Sequence, residues 1–141
     1  MQKKSHLGIY AIIRQQGRIV LIEKGRGEYE GFWDLPGGTV EFGEHPEETL
    51  VREVEEEAGL TVIHHQLLDM WSHRGVYEPK NEPVRDLHHM GAIYEAEVAE
   101  WKKEKHESDG QDSLGSRWFS LEEARKAAAH PLCRQGNSRN E

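Results

Sequence analysis

The chain has 141 residues, 35% of them hydrophobic, which suits one domain with a modest core. Its mean hydropathy is −0.84, and no apolar run approaches the roughly 20 residues of a membrane helix. Met1 to His6 carries no signal-like apolar stretch, and Cys133 alone excludes an internal disulfide or a cysteine-built zinc site, so the expectation is a soluble, cytoplasmic protein with one domain over 1–141.

In chain order, Leu7 to Arg14 (LGIYAIIR) is rich in β-branched residues and predicts a strand. Gln15-Gln16-Gly17 predicts a turn and Arg18 to Glu23 (RIVLIE) a returning strand, so the pair reads as a hairpin. Gly25, Gly27 and Gly31 mark a flexible connection into Phe32-Trp33-Asp34-Leu35-Pro36-Gly37-Gly38, where proline and two glycines call for a sharp turn. Pro46 to Ala58 predicts a helix, with proline at its first position and Gly59 at its stop. Leu50, Val51, Val54 and Ala58 recur at the spacing of one buried stripe. Thr61 to Trp71 predicts a strand with a weak start at His64-His65-Gln66. Ser72 to Asp86, with Pro79 and Pro83, reads as a long loop of the kind that often carries function. Leu87 to Val98 predicts another strand, Ala99 to Gly115 a polar loop and Arg117 to Phe119 a short strand. Leu121 to Ala129 predicts a helix capped by Ser120, and 131–141 a flexible tail. This mixture predicts an α/β sandwich around a mixed sheet.

The charge is unevenly placed. Of the net −8, the window Gly38–Leu60 holds −7, from eight acids and the lone base Arg52; the remainder, with 18 acids and 17 bases, is nearly neutral. The overall sign argues against long nucleic acid held through phosphate contacts. On the predicted helix Glu53, Glu56 and Glu57 stand at i, i+3 and i+4, a spacing at which like charges weaken a helix by roughly 0.2–0.5 kcal/mol per pair. A cation reverses that penalty, and carboxylate oxygens suit Mg²⁺ or Mn²⁺. A solvated glutamate-rich face is the plain alternative. The glycine turn before the helix, Glu44 just outside its first turn, and Arg52 one turn from Glu48 and Glu56 favour a metal bridged to a phosphate chain, with the arginine orienting a carboxylate.

Gly38, five residues, Glu44, seven residues, then Arg52-Glu53-Val54-Glu55-Glu56-Glu57-Ala58-Gly59-Leu60 matches every position of the Nudix box across 23 residues. Trp33 to Gly37 also resembles the segment that leads into the box, and Arg117 to Leu121 the family's C-terminal strand–helix junction. The chain is thus similar to Nudix proteins over nearly its whole length. The resemblance implies a Nudix fold, an α/β/α sandwich around a mixed β-sheet. It also implies Mg²⁺-dependent hydrolysis, with Mn²⁺ able to substitute, of a nucleoside diphosphate linked to another group. By position, Glu53, Glu56 and Glu57 would be metal ligands, with Glu53 or a nearby carboxylate activating water. Arg52 would orient the carboxylates, Gly38 would lend backbone to the metal, and Glu44 would support the loop, the metal or the substrate. His45 departs from the usual Ser or Thr cap, which predicts a somewhat weaker helix start and puts a titrating group near the metals.

Other residues are less specific. Trp33 and Phe32 could stack on a base or anchor the turn, and Trp71, Trp101 and Trp118 read as core or boundary residues. Tyr77 lies where some dinucleoside polyphosphate hydrolases of the family carry a tyrosine. Glu107, Asp109 and Asp112 lie in a loop from which some members supply a further catalytic carboxylate. His64, His65, His73, His88, His89 and His106 lack metal-site spacing and read as strand and loop surface. The leading expectation is a pyrophosphohydrolase acting on a small nucleotide-type molecule, as a monomer or homodimer away from membranes. A non-catalytic nucleotide-sensing module and an RNA 5′-pyrophosphohydrolase are the alternatives.

Overall fold

The computed structural model describes residues 1–24, 33–99 and 113–127. They form a mixed seven-stranded sheet with a helix on each face. Its organising strand is β1 (Gln2–Gln15), which runs parallel to β6 (Arg85–Val98) from Gln2↔Arg85 to Ile13↔Ala96. On its other edge β1 pairs antiparallel with β4 (Gly37–Thr39), Ile9 opposite Gly38. A strand paired on both edges and covered on both faces reads as an unbroken apolar run, which is why Ile9 to Ile13 shows no alternation.

The end of β1 turns back into β2 (Arg18–Lys24) through Gln16 and Gly17, whose φ angles of 51° and 74° are both positive. That is the two-residue turn whose twist matches a hairpin, and glycine makes its second position inexpensive. β2 also pairs with β3 (Trp33–Asp34) and β7 (Ser113–Ser120), while β5 (Val62–Tyr77) pairs with β6 as a long antiparallel hairpin.

Alternate residues of β1 enter separate cores. Ile9, Ala11 and Ile13 pack with Val20, Ile22, Tyr94 and Trp118 beneath α1 (Pro46–Ala58), which contributes Leu50, Val54 and Ala58. Tyr10 and Ile12 pack with Ile19, Leu21, Leu35, Ile93 and Phe119 beneath α2 (Leu121–Ala127), through Ala124. The result is the α/β/α sandwich around a mixed sheet expected from the sequence.

Three expectations need correction. Val51 is 37% exposed, because the inward positions of α1 are Leu50, Val54, Glu57 and Ala58, with Thr49 beside them, and Val51 falls on the flank. The predicted loop Ser72–Asp86 is mostly strand: β5 runs on to Tyr77 and β6 starts at Arg85. Polar side chains on a sheet edge stay solvated while the backbone pairs, and Arg74 donates to both Asp86 oxygens, at 3.1 and 2.6 Å, across the pair. Pro79 and Pro83 both fall in the connection between the strands. Finally, His89 is not at the surface; it is buried and shares a 2.7 Å hydrogen bond with the Tyr10 hydroxyl.

The ends of α1 and α2 follow local chemistry. Glu48 accepts from the His45 backbone N–H at 2.9 Å, closing the first turn of α1, and Gly59 ends the helix by donating to Glu55 O at 2.9 Å. Ser120 caps α2 reciprocally: its Oγ accepts from Glu123 N–H at 3.1 Å, and the Glu123 carboxylate accepts from Ser120 N–H at 2.9 Å. The expected tail over 131–141 lies outside the described residues.

Candidate active site

The turn Trp33–Gly38 and helix α1 meet through two glycines. Asp34 is buried and accepts from Leu35 N–H at 2.7 Å, while Pro36 O accepts from Ala11 N–H at 2.9 Å, so the segment is tied to β1 before β4 begins. Gly37 N–H then donates to Glu57 Oε1 at 2.7 Å. Glu57 is 0% exposed, and this contact joins the helix to the strand from inside. At Gly38 an added Cβ would stand 2.6 Å from both Cδ and Oε1 of Glu53. The Glu53 carboxylate therefore lies directly on the backbone, an approach no other residue type at position 38 permits.

Arg52 gathers the acids. Its Nε donates to Glu44 Oε2 at 2.7 Å and its Nη2 to Glu44 Oε1 at 3.0 Å, a bidentate pair. Nη2 also reaches Thr39 O at 3.3 Å. Nη1 is the meeting point of three carboxylates: Glu53 Oε1 at 2.7 Å, Glu56 Oε2 at 3.4 Å and Glu41 Oε1 at 3.6 Å. Glu44 is further held by the Thr49 hydroxyl at 2.6 Å and Glu41 N–H at 3.1 Å. The bonds from Arg52, and after them the Thr49 hydroxyl, hold the Glu44 carboxyl down at about 2. The same contacts, Glu44 first, push the guanidinium further up, so it stays charged.

Electrostatically the cluster is unbalanced. Glu41, Glu44, Glu53 and Glu56 share the charge of Arg52, and the last turn of α1 contains no basic residue although the helix dipole is negative there. Among the described residues no three His, Cys, Asp or Glu side chains already stand as a metal-holding group. Glu57 is turned toward Gly37 N–H and Glu53 toward Arg52, which accounts for this. The donor set nevertheless fits a hard divalent cation. All its donors are oxygens, the negative charge is in excess, and three carboxylates already converge on one cationic nitrogen.

The structure thus brings together Gly38, Glu44, Arg52, Glu53, Glu56 and Glu57. Glu56 is the outermost, its side chain 44% exposed. Glu48, one turn from Arg52, bonds to His45 instead. Trp33 is partly buried against the core below α2, edge-on to Phe119 at 5.0 Å and under the Arg117 guanidinium at 4.7 Å. Tyr77 lies at the end of the β5–β6 hairpin, with Arg85 over its ring at 5.6 Å. Phe32, Glu107, Asp109, Asp112, Trp101 and His106 lie outside the described residues. Missed from the sequence were Thr49, Glu41, Gly37 and the Thr39 carbonyl. Glu41 could have been found from its place three residues before Glu44; Thr49 gave no signal beyond its reach to Glu44.

A NUDIX domain family profile matches residues 3–135. An 8-oxo-dGTP diphosphatase of Proteus vulgaris is 30% identical over 115 residues, covering 81% of this chain and 93% of that protein. An ADP-ribose pyrophosphatase of Methanocaldococcus jannaschii is 39% identical over 66 residues, 47% of this chain and 39% of that protein. The crystal structure of a MutT NUDIX hydrolase from Burkholderia pseudomallei superposes with a TM-score of 0.76 at 26% identity, covering 98% and 99% of the two chains. The chain belongs to the Nudix family. It is a hydrolase acting on phosphorus-containing acid anhydrides, and enzymes of this family generally use divalent metals. No helix among the described residues is long and apolar enough to cross a membrane.

Proposed function

We propose that the chain is a Mg²⁺-dependent pyrophosphohydrolase, with Mn²⁺ able to substitute, that cleaves a phosphoanhydride bond in a small nucleoside diphosphate derivative. The observation that carries this reading is the convergence of Glu53, Glu56 and Glu41 on one cationic point beside Gly38, with Glu57 buried behind it. Glu53, Glu56, Glu57 and the Gly38 backbone would hold the metal. When bound, it supplies Lewis-acid polarisation of a phosphoryl oxygen and lowers the pKa of water. Arg52 orients Glu53 and Glu56, and Glu44 anchors Arg52 through both its oxygens. Glu53 or a neighbouring carboxylate takes the proton from the attacking water. Glu57 keeps β4 against the helix, so the Gly38 backbone stays in place. The names of two relatives, an 8-oxo-dGTP diphosphatase and an ADP-ribose pyrophosphatase, place an oxidised nucleoside triphosphate and ADP-ribose first among the substrates to try.

The test is chromatographic product analysis with Mg²⁺ over nucleoside triphosphates, oxidised nucleotides, dinucleoside polyphosphates and sugar nucleotides, scored by the nucleoside monophosphate formed together with pyrophosphate or a second phosphate ester. Glu53→Gln and Glu57→Gln are assayed on whichever substrate turns over. Both variants should lose about 10²-fold or more in turnover. Glu57→Gln should remain folded, because the amide oxygen still accepts from Gly37. Nucleotide binding without phosphoanhydride cleavage across the panel would replace this reading with a sensing module. Tight RNA binding with a steep salt dependence would point to an RNA 5′ end.

A further inference from the structure

β5 closes the strand order of the sheet, and among the described residues its outer edge has no partner strand. An open edge presents a row of backbone donors and acceptors, which proteins usually guard with lysine, proline, a bulge or a very short strand. β5 has few of these guards. It is 16 residues long, contains neither lysine nor proline, and both its bulges fall before Asp69. From Asp69↔Ile93 to Tyr77↔Arg85 its register with β6 is unbroken. Within this stretch Met70 is 55% exposed and Val76 57%, whereas Trp71 is partly buried against the core below α2. Met70 and Val76 lie at even positions of a regular strand, hence on one face of the sheet.

We propose that this edge pairs with the same edge of a second copy of the chain, antiparallel, about a twofold axis through His73. The sequence is self-complementary in that register. Met70 falls opposite Val76 of the second copy and Val76 opposite its Met70, so each exposed apolar side chain meets another. Trp71 falls opposite Gly75, where an aromatic ring covers the bare backbone of an edge glycine. Ser72 falls opposite Arg74, an acceptor beside a donor. Moving the axis one residue, to Ser72, sets Met70 against the Arg74 guanidinium and Asp69 against Gly75, and the match is lost. A second copy is the occupant that these pairings select, because any other strand would have to supply the same pattern by coincidence.

The wild-type chain should sediment with twice the chain mass in the micromolar range, and Val76→Lys should sediment as a monomer with an unchanged far-UV spectrum. Register is read by disulfide trapping in a Cys133→Ser background. Met70→Cys combined with Val76→Cys should give a covalent dimer on mild oxidation. The two positions in one chain are about 20 Å apart along the strand, so the bond cannot form within a molecule. Met70→Cys with Arg74→Cys should link far more slowly. A wild-type monomer throughout the concentration range overturns the proposal, leaving the edge to some other strand. A dimer that the 70/76 pair does not trap, or that Val76→Lys leaves intact, overturns it as well.

Discussion

Gly38→Ala tests the contact on which the site geometry rests. The added methyl would lie 2.6 Å from Cδ and Oε1 of Glu53 and 2.9 Å from Oε2. That is about 1 Å short of ordinary van der Waals separation. Two movements could relieve it. Glu53 could swing away, which breaks its 2.7 Å bond to Arg52. Alternatively β4 could shift, which strains the Gly37–Glu57 bond and the pairing of Gly38 with Ile9. Helix α1 itself is held by Leu50, Val54 and Ala58 and has little room to retreat. Overpacking of this kind costs about 1–3 kcal/mol. At about 2–4 °C per kcal/mol for a chain near this size, the midpoint should fall by roughly 2–12 °C. A carboxylate displaced by about 1 Å should lower turnover by about 10²-fold. Calorimetry and steady-state hydrolysis on the same preparation separate the two movements. Loss of turnover with a small shift in Tm means that Glu53 has moved, and a large Tm shift means that β4 has. Wild-type values in both assays would refute the contact and the role drawn from it.

Glu44→Gln should change how stability depends on pH. The Glu44 carboxyl sits at about 2 when folded against an ordinary value of 4.5, so it contributes stability above pH 4.5 that is lost as the pH falls toward 2. The gap in Tm between wild type and variant should therefore be widest near neutrality and shrink on acidification; an equal gap at pH 7 and pH 2 would contradict this. Ser120→Ala removes the cap of α2 and should cost about 1 kcal/mol, a few degrees in Tm, by thermal unfolding. Turnover should be unchanged, since α2 covers the face of the sheet opposite α1.

Much of the fold was legible because its signals are local. The run Ile9–Ile13, the Gln16-Gly17 turn, Pro46 at the start of α1 and Ser120 before α2 each act within a few residues. What was not legible depended on partners far along the chain. Ser72 to Tyr77 is polar and looks like loop, and only pairing with Arg85–Met90 makes it strand. His89 looks like surface until Tyr10, 79 residues away, is seen to bond it. In the site, the spacing of the glutamates on α1 was plain, but their different surroundings were not. Whether Glu57 points inward and Glu56 outward depends on where β4 lies beneath the helix, and periodicity within the helix carries no information about that.

The weaving of β1 through both cores has a bearing on how the molecule comes apart. Consecutive peptides of Ile9–Ile13 serve opposite layers, so neither layer can loosen while the other stays whole. Melting should be all-or-none across the sandwich, and inserting one residue between Gly8 and Ile9 would turn all five side chains of Ile9–Ile13 to the wrong layer together.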